Sequence, residues 1–356
     1  MYPRIVINLK KLKNNLYKTI EMVKASGHSL MIVTKGCCAD MEVYKLLEES
    51  DVDYLADSRI QSLKKYEGTK KERVLLRLPM ISEVDEVVRY ADMSLNSEID
   101  TIIRLNEAAE KQGKKHKILL MIDLGDLREG VFFKNENEIY HITEEILKLA
   151  NIELYGIGVN LTCYGAVIPT KENLSYLVET AEKIERKFNI KLKMISGGNS
   201  SSVYLIGRNE LPERINNLRV GEAFLLGNET SYGKMLEGFY DDAFIFEAEI
   251  IELKKKQSIP VGETGVDAFG SKPVYEDLGI IKRAILAAGR QDIDPEGMHP
   301  IDSEIYVLGA SSDHLILNVD NSQEDYKVGG IVKFKLNYSS LLRAATSPFV
   351  EKVYIK

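Results

Sequence analysis

Short apolar runs alternate with stretches of helical periodicity between residues 10 and 230, and this alternation restricts the possible folds more than any other feature. Leu12, Leu16, Ile20 and Val23, for example, fall on one face of a helix. Such alternation predicts parallel β/α units, and eight units close a (β/α)8 TIM-type barrel. A doubly wound open sheet is the alternative. The eight candidate strands begin near Leu30, Asp53, Val74, Met93, Ile118, Ile152, Leu192 and Leu218.

The pattern changes after about residue 230, where little helical periodicity remains. Turns rich in Gly, Pro and Asp separate several strand-like segments, which predict a mainly antiparallel β domain. These segments cover residues 244–251, 304–308, 314–319 and 331–336. We place the boundary between Gly227 and Asp242, and we expect a barrel domain over residues 1–230 and a β domain over residues 231–356.

The net charge and the cysteine content limit the partners and the cellular compartment that we expect for this protein. The formal net charge is -7, which argues against nucleic acid or an anionic membrane as a partner. The three cysteines, Cys37, Cys38 and Cys163, do not form a disulfide framework and fit a reducing compartment. No apolar signal segment precedes the first strand-like run and no apolar stretch is long enough to span a membrane, so we expect a cytoplasmic protein.

Lys35 follows the apolar run 30–34 and precedes a series of small residues. In a TIM-type barrel, functional residues lie at the carboxyl ends of the strands. A lysine at that position is partly desolvated, which favours its neutral amine. A neutral amine attacks carbonyl carbons and forms Schiff bases, including with pyridoxal phosphate. The competing interpretation is an ordinary strand-end lysine whose charge reaches solvent.

The loop from Ser196 to Ser202, with Asn199 at its centre, has the composition of a phosphate site. Its glycines let the backbone approach an anion, and its N–H groups and serine hydroxyls are donors. A second glycine loop at Gly221 follows the eighth strand. Loops after the seventh and eighth strands form the usual phosphate site of such barrels.

Arg219 lies at the end of the eighth candidate strand. One interpretation is a surface or salt-bridged arginine. The other places its permanently charged guanidinium group against the pyridine nitrogen of the cofactor. That contact keeps the nitrogen unprotonated, so the ring is a weaker electron sink and simple proton exchange at Cα is favoured.

The order and spacing of these residues resemble the alanine racemase family, the fold-type III pyridoxal phosphate enzymes. The resemblance covers essentially the whole chain and includes both domains. Within the family, four long segments are similar to bacterial ornithine racemases. These segments are residues 52–61, 123–130, 158–169 and 309–315.

The resemblance implies roles for individual residues. Lys35 is the Schiff-base lysine and one of two proton-transfer bases. Arg219 faces the pyridine nitrogen, and Arg128 lies near the phenolic oxygen of the cofactor and the substrate carboxylate. Asn160 replaces a histidine beside the cofactor, and Ser312 lies in the loop that matches the family's carboxylate-binding segment. The implied phosphate contacts come from Ser200, Ser201, the backbone at Gly221 and Glu222, and Tyr338.

Racemisation requires a second acid–base group on the opposite face of Cα from Lys35. The family uses a tyrosine in a Gly-Tyr-x-Asp motif, but this chain has arginine at the corresponding position, Arg290, and arginine is a poor base. Histidine is a common acid–base group in enzymes, and His314 has Asp313 as its neighbour, so this pair is our candidate. Tyr275 is the other candidate.

The resemblance also implies an activity and an assembly. We expect interconversion of L- and D-ornithine, with lysine as a further substrate, by a homodimer whose β domain completes the partner's active site. A cationic side chain requires a carboxylate, for which Asp126, Glu129 and Glu222 are candidates. We expect no metal, because one Asp-His pair is not a ligand cluster. Two alternatives stay open: a non-enzymatic pyridoxal phosphate-binding protein of cofactor homeostasis, and an aldolase or racemase with another substrate.

Overall fold

The computed structural model describes residues 1–356, and contacts between residues divide them into two compact units. One unit is Lys13–Phe239, and the other combines Met1–Leu12 with Tyr240–Lys356. The first strand, β1 (Arg4–Asn8), belongs to the second unit. No helix combines the length and the apolar composition that crossing a bilayer requires.

Eight parallel strands close into a barrel within Lys13–Phe239, which confirms the predicted fold. Each predicted strand start lies within two residues of the observed one. The barrel strands are β2 (Ser29–Val33), β3 (Tyr54–Asp57), β4 (Glu72–Leu75), β5 (Met93–Asn96), β6 (His116–Asp123), β8 (Ile152–Gly158), β9 (Met194–Ser196) and β10 (Asn217–Val220). The ring closes because β5 pairs with β6. A two-residue strand, β7 (Val131–Phe132), pairs in parallel with the end of β6.

Helices follow most of the barrel strands, as the periodicity predicted. The helices are α1 (Leu9–Ala25), α2 (Met41–Glu48), α3 (Ile60–Lys64), α4 (Val84–Tyr90), α5 (Ile99–Lys111), α6 (Glu136–Leu147), α7 (Lys171–Phe188), α8 (Val203–Arg208) and α9 (Glu222–Leu226). The predicted apolar face of α1 is buried at Leu12, Leu16, Ile20 and Val23. Thr170 caps α7, since its hydroxyl accepts the N–H of Asn173 at 3.1 Å.

The barrel interior is filled by apolar side chains, so the strands form a packed core and not a channel. Met31, Val33, Leu119 and Met121 belong to this cluster of buried residues. Because the strands are parallel, their carboxyl ends share one rim, which brings together the loops that follow β2, β6, β8, β9 and β10.

The second unit contains the antiparallel sheet that the sequence predicted. The elements of this unit are β11 (Phe244–Gln257), β12 (Ile280–Leu286), β13 (Met298–Pro300), β14 (Tyr306–Ala310), β15 (Leu315–Asn318), β16 (Ile331–Leu336), α10 (Tyr338–Thr346) and β17 (Glu351–Ile355). The sheet has the order β13-β16-β11-β12-β15-β14, and β1 pairs with both β11 and β17. Because of this pairing, β1 belongs to the same unit as the sheet, whereas the predicted domains, 1–230 and 231–356, follow chain order.

Candidate active site

Lys35 lies where β2 leaves the barrel core, at the start of a 3-10 turn. The preceding residue, Thr34, is held twice: its N–H donates to the carbonyl of Ala56 at 2.9 Å, and its hydroxyl donates to Oδ2 of Asp57 at 2.8 Å. Burial, and then the charge of Arg128, lower the pKa of Lys35. The lower pKa increases the fraction of neutral amine, which is the form that attacks a carbonyl carbon.

The chain after Lys35 adopts a left-handed backbone conformation at two residues that are not glycine. These are Cys38, with φ 55°, and Ala39, with φ 49°. Such conformations cost about 1–3 kcal/mol each and concentrate at functional sites. Asp40 then caps α2, because its carboxylate accepts two N–H groups of the first turn at 3.0 and 3.2 Å. The turn that carries Lys35 is therefore tightly constrained.

Arg219 is buried on β10, with 2% of its surface exposed. Its guanidinium group donates to the hydroxyl of Ser196, to the carbonyl of Val159 and, at 2.7 Å, to Oδ1 of Asn160. Burial lowers the pKa of Arg219 to about 10, so the group keeps its charge at neutral pH. Three neutral acceptors hold it, which rules out the interpretation as a surface or salt-bridged arginine.

Glu129 joins Arg128 and Asn160 into the same network. Its carboxylate accepts hydrogen bonds from the guanidinium group of Arg128 and from Nδ2 of Asn160, whose Oδ1 is the acceptor for Arg219. Burial raises the pKa of Glu129, but the bond and charge of Arg128 outweigh burial, and the pKa falls below its ordinary value. Glu129 is therefore ionised, and it orients an arginine whose side chain is 38% exposed.

In the loops that follow β9 and β10, two backbone N–H groups point to the same serine oxygen. The N–H groups of Gly221 and Ala223 both donate to Oγ of Ser200 at 3.2 Å. Asn199 accepts the N–H of Ser201 at 2.8 Å, which fixes the turn. The predicted phosphate loop thus presents a serine hydroxyl and two N–H groups at one point, while Asn199 shapes the loop around them.

The candidates for the second base lie in the antiparallel unit. Nδ1 of His314 lies 2.9 Å from Oδ1 of Asp313, and the two side chains are 45% and 58% exposed. The hydroxyls of Ser311 and Ser312 donate to the same oxygen at 3.3 and 3.2 Å. The bond to His314, followed by that to Ser312, lowers the pKa of Asp313. Asp313 is therefore a carboxylate that orients the imidazole ring.

Gly289 packs against the backbone of this loop. A Cβ at Gly289 would lie 2.3 Å from the nitrogen of Asp313 and 2.4 Å from the carbonyl carbon of Ser312, so only glycine fits. The next residue, Arg290, forms an ion pair with Glu296 at 2.6 Å. Its guanidinium group is therefore paired with a carboxylate, at the position where the resemblance implies a tyrosine.

The two predicted tyrosines have different environments. Tyr275 is 48% exposed and lies between β11 and β12, in a segment without helix or strand. Tyr338 is the first residue of α10, which Asn337 caps by accepting the N–H of Ser340 at 2.9 Å. Tyr338 thus has a fixed backbone, whereas Tyr275 lies in an irregular segment.

Asp57 is a residue near Lys35 that no sequence pattern singled out. It is fully buried at the end of β3, and it accepts the hydroxyl of Thr34, the residue before Lys35. Burial raises the pKa of Asp57. Its place directly after a short apolar run is the signal by which the sequence could have identified it.

Comparisons with known proteins show the family and the fold of this chain. The family model described as the alanine racemase N-terminal domain matches residues 7–229. A protein named ornithine racemase from Acetoanaerobium sticklandii is 51% identical over 352 residues, which is 99% of both chains. A protein named lysine racemase from Thermotoga maritima is 41% identical over 356 residues, again 99% of both. The structure of alanine racemase from Clostridium difficile 630 has a TM-score of 0.71 at 20% identity and covers 99% of this chain and 95% of its own.

Proposed function

Because this chain belongs to the alanine racemase family, we propose that it is a pyridoxal phosphate-dependent racemase that interconverts L- and D-ornithine. The observation that carries the proposal is 51% identity with an ornithine racemase across 99% of both chains. Lysine, which the name of the second relative gives as its substrate, is the further substrate that we propose.

The donor groups at the barrel rim suit pyridoxal phosphate. The hydroxyl of Ser200 offers a donor for its phosphate, and the N–H groups of Gly221 and Ala223, which donate to that hydroxyl oxygen here, converge on the same point. Lys35 offers an amine with a lowered pKa for its aldehyde, and Arg219 offers a buried donor for its pyridine nitrogen. When bound, the cofactor withdraws electrons from the substrate's Cα and so acidifies the α proton.

Lys35, Arg219 and Arg128 have different roles in the proposed proton exchange. Lys35 takes and returns the α proton through its amine on one face. Arg219 stays protonated and gives no proton to the ring, which disfavours elimination and transamination. Arg128, oriented by Glu129, binds the substrate carboxylate, for which its planar guanidinium group is well suited.

We assign the second acid–base role to His314. Asp313 fixes the orientation of the imidazole ring, and an imidazole is a group that can both accept and return a proton. We further propose a cytoplasmic homodimer in which the antiparallel unit of one subunit completes the active site of the other. Ser312 of that unit would then bind the substrate.

Chiral chromatography tests the activity directly. Purified protein supplied with pyridoxal phosphate and L-ornithine should form D-ornithine until the two enantiomers are equal. The variant Lys35→Ala, treated in the same way, should form none above the background of free cofactor. If protein that has bound the cofactor forms no D-ornithine, the proposed function is wrong.

A further inference from the structure

Three carboxylates follow barrel strands and are candidates for binding a cationic substrate side chain. They differ in the hydrogen-bond partners that the structure gives them. Asp126 is fully buried, and its oxygens accept backbone N–H groups of residues 163, 164 and 167 at 2.9–3.4 Å. Glu129 accepts hydrogen bonds from Arg128 and Asn160. Both carboxylates are therefore already satisfied by groups of the protein.

Glu222 differs from these two carboxylates. Its only side-chain hydrogen bond comes from a neutral amide, Nδ2 of Asn228, at 3.1 Å from Oε1, and it forms no ion pair with a lysine, arginine or histidine. Burial raises the pKa of Glu222. A partly buried carboxylate is costly unless a cation or several donors satisfy it. The carboxylate of Glu222 can therefore accept hydrogen bonds from a cationic ligand.

Glu222 lies on an element that packs against the turn of Lys35. Val220 on β10 pairs with Ile32 on β2. The loops that follow these two neighbouring strands therefore begin side by side. The helix that Glu222 begins packs against the turn that starts at Lys35. The charge of Lys35 acts on Glu222 and favours its ionised form.

The positive charge of Lys35 does not fully neutralise Glu222. Burial and the charge of Arg128 lower the pKa of Lys35, so its amine is not a permanent cation. A second ammonium group, carried by the substrate, would restore the missing positive charge. A neutral side chain would leave the carboxylate without one.

We propose that Glu222 binds the side-chain ammonium group of a diamino acid and thereby sets the preference for ornithine over neutral amino acids. The inference rests on the proposed function and names the residue that selects its substrate. Asn228 is a positioning residue, because its amide holds one oxygen of Glu222 and leaves the other for the ligand.

Glu222→Gln tests the charge while keeping an oxygen that accepts from Asn228. Norvaline is the matched probe, since it has the carbon skeleton of ornithine without the terminal amine. The ratio of kcat/KM for ornithine to kcat/KM for norvaline should fall by about 30-fold or more. The control Glu237→Gln removes an exposed carboxylate and should keep the wild-type ratio.

Glu222→Asp tests the geometry and keeps the charge. It withdraws the carboxylate by one methylene, so a substrate that is longer by one methylene should fit better. We expect the ratio of kcat/KM for lysine to kcat/KM for ornithine to rise by about tenfold. A role confined to holding the helix would not change this ratio.

Binding gives a readout that is independent of turnover. In calorimetric titrations, wild-type holoenzyme should bind 1,4-diaminobutane more tightly than butylamine, and Glu222→Gln should lose this preference. If wild-type enzyme racemises ornithine but Glu222→Gln keeps both preferences, Glu222 is not the recognition group. If wild-type enzyme does not racemise ornithine at all, the proposed function fails and this inference fails with it.

Discussion

Acid should destabilise the barrel through His116, the first residue of β6. Its side chain is 1% exposed, and its Nε2 lies 2.8 Å from Oγ of Ser94. Burial disfavours the imidazolium form and lowers the pKa of His116 from 6.5 to about 4. Between these two values the unfolded chain binds more protons than the folded chain, so stability falls as the pH falls through this window.

The two pKa values of His116 determine the size of the effect. Relative to neutral pH, proton linkage gives a loss of about 2 kcal/mol at pH 5 and about 3 kcal/mol at pH 4 from this one side chain. His116→Gln removes the titrating ring and retains an amide that can bond to Ser94. The free energy of unfolding of this variant should therefore lack the loss due to position 116.

Urea denaturation followed by circular dichroism at pH 7, 6, 5 and 4 measures this difference. From pH 7 to pH 4, the free energy of unfolding of His116→Gln should gain about 3 kcal/mol relative to wild type. His141→Gln, which replaces an exposed histidine, should follow the wild-type curve. Parallel curves for wild type and His116→Gln would refute the reasoning.

Three further substitutions test the site and its supporting turns. His314→Gln should lower kcat by about 10²- to 10⁴-fold and slow deuterium uptake at Cα in D2O; an unchanged kcat would exclude His314 as the second base. Gly289→Ala should also lower kcat, because its Cβ would lie 2.3 Å from the nitrogen of Asp313, whereas Gly265→Ala, with nothing within 4 Å of its Cβ, should keep wild-type rates. Cys38→Gly should raise the free energy of unfolding by about 1 kcal/mol in urea titrations, because glycine tolerates the φ of 55°; a loss of stability would contradict this.

The barrel could be predicted because its strands are covered on both faces and therefore appear as continuous apolar runs. The antiparallel sheet was harder to predict completely. β12 was missed because Lys282 and Arg283 interrupt its apolar residues, and β13 was missed because it has only three residues. β1 was predicted as a strand, but its pairing with β11 and β17 depends on contacts between distant parts of the chain.

Strand ends identified the residues of the candidate site, since the carboxyl ends of parallel strands share one rim. The partners of those residues could not be predicted. Asp126 and Glu129 look alike in the sequence, yet backbone N–H groups enclose Asp126 while Glu129 binds Arg128. Glu222 was one of three equal candidates until the structure described its partners. Burial and pairing arise from long-range packing, which local patterns do not encode.

Borohydride reduction of the cofactor-loaded protein, followed by peptide mass mapping, tests the central claim most directly. We predict a pyridoxyl group on the amine of Lys35, and none after reduction of Lys35→Ala. A pyridoxyl group on a different lysine of the wild-type chain, or on no residue, would contradict the assignment of Lys35 and the function built on it.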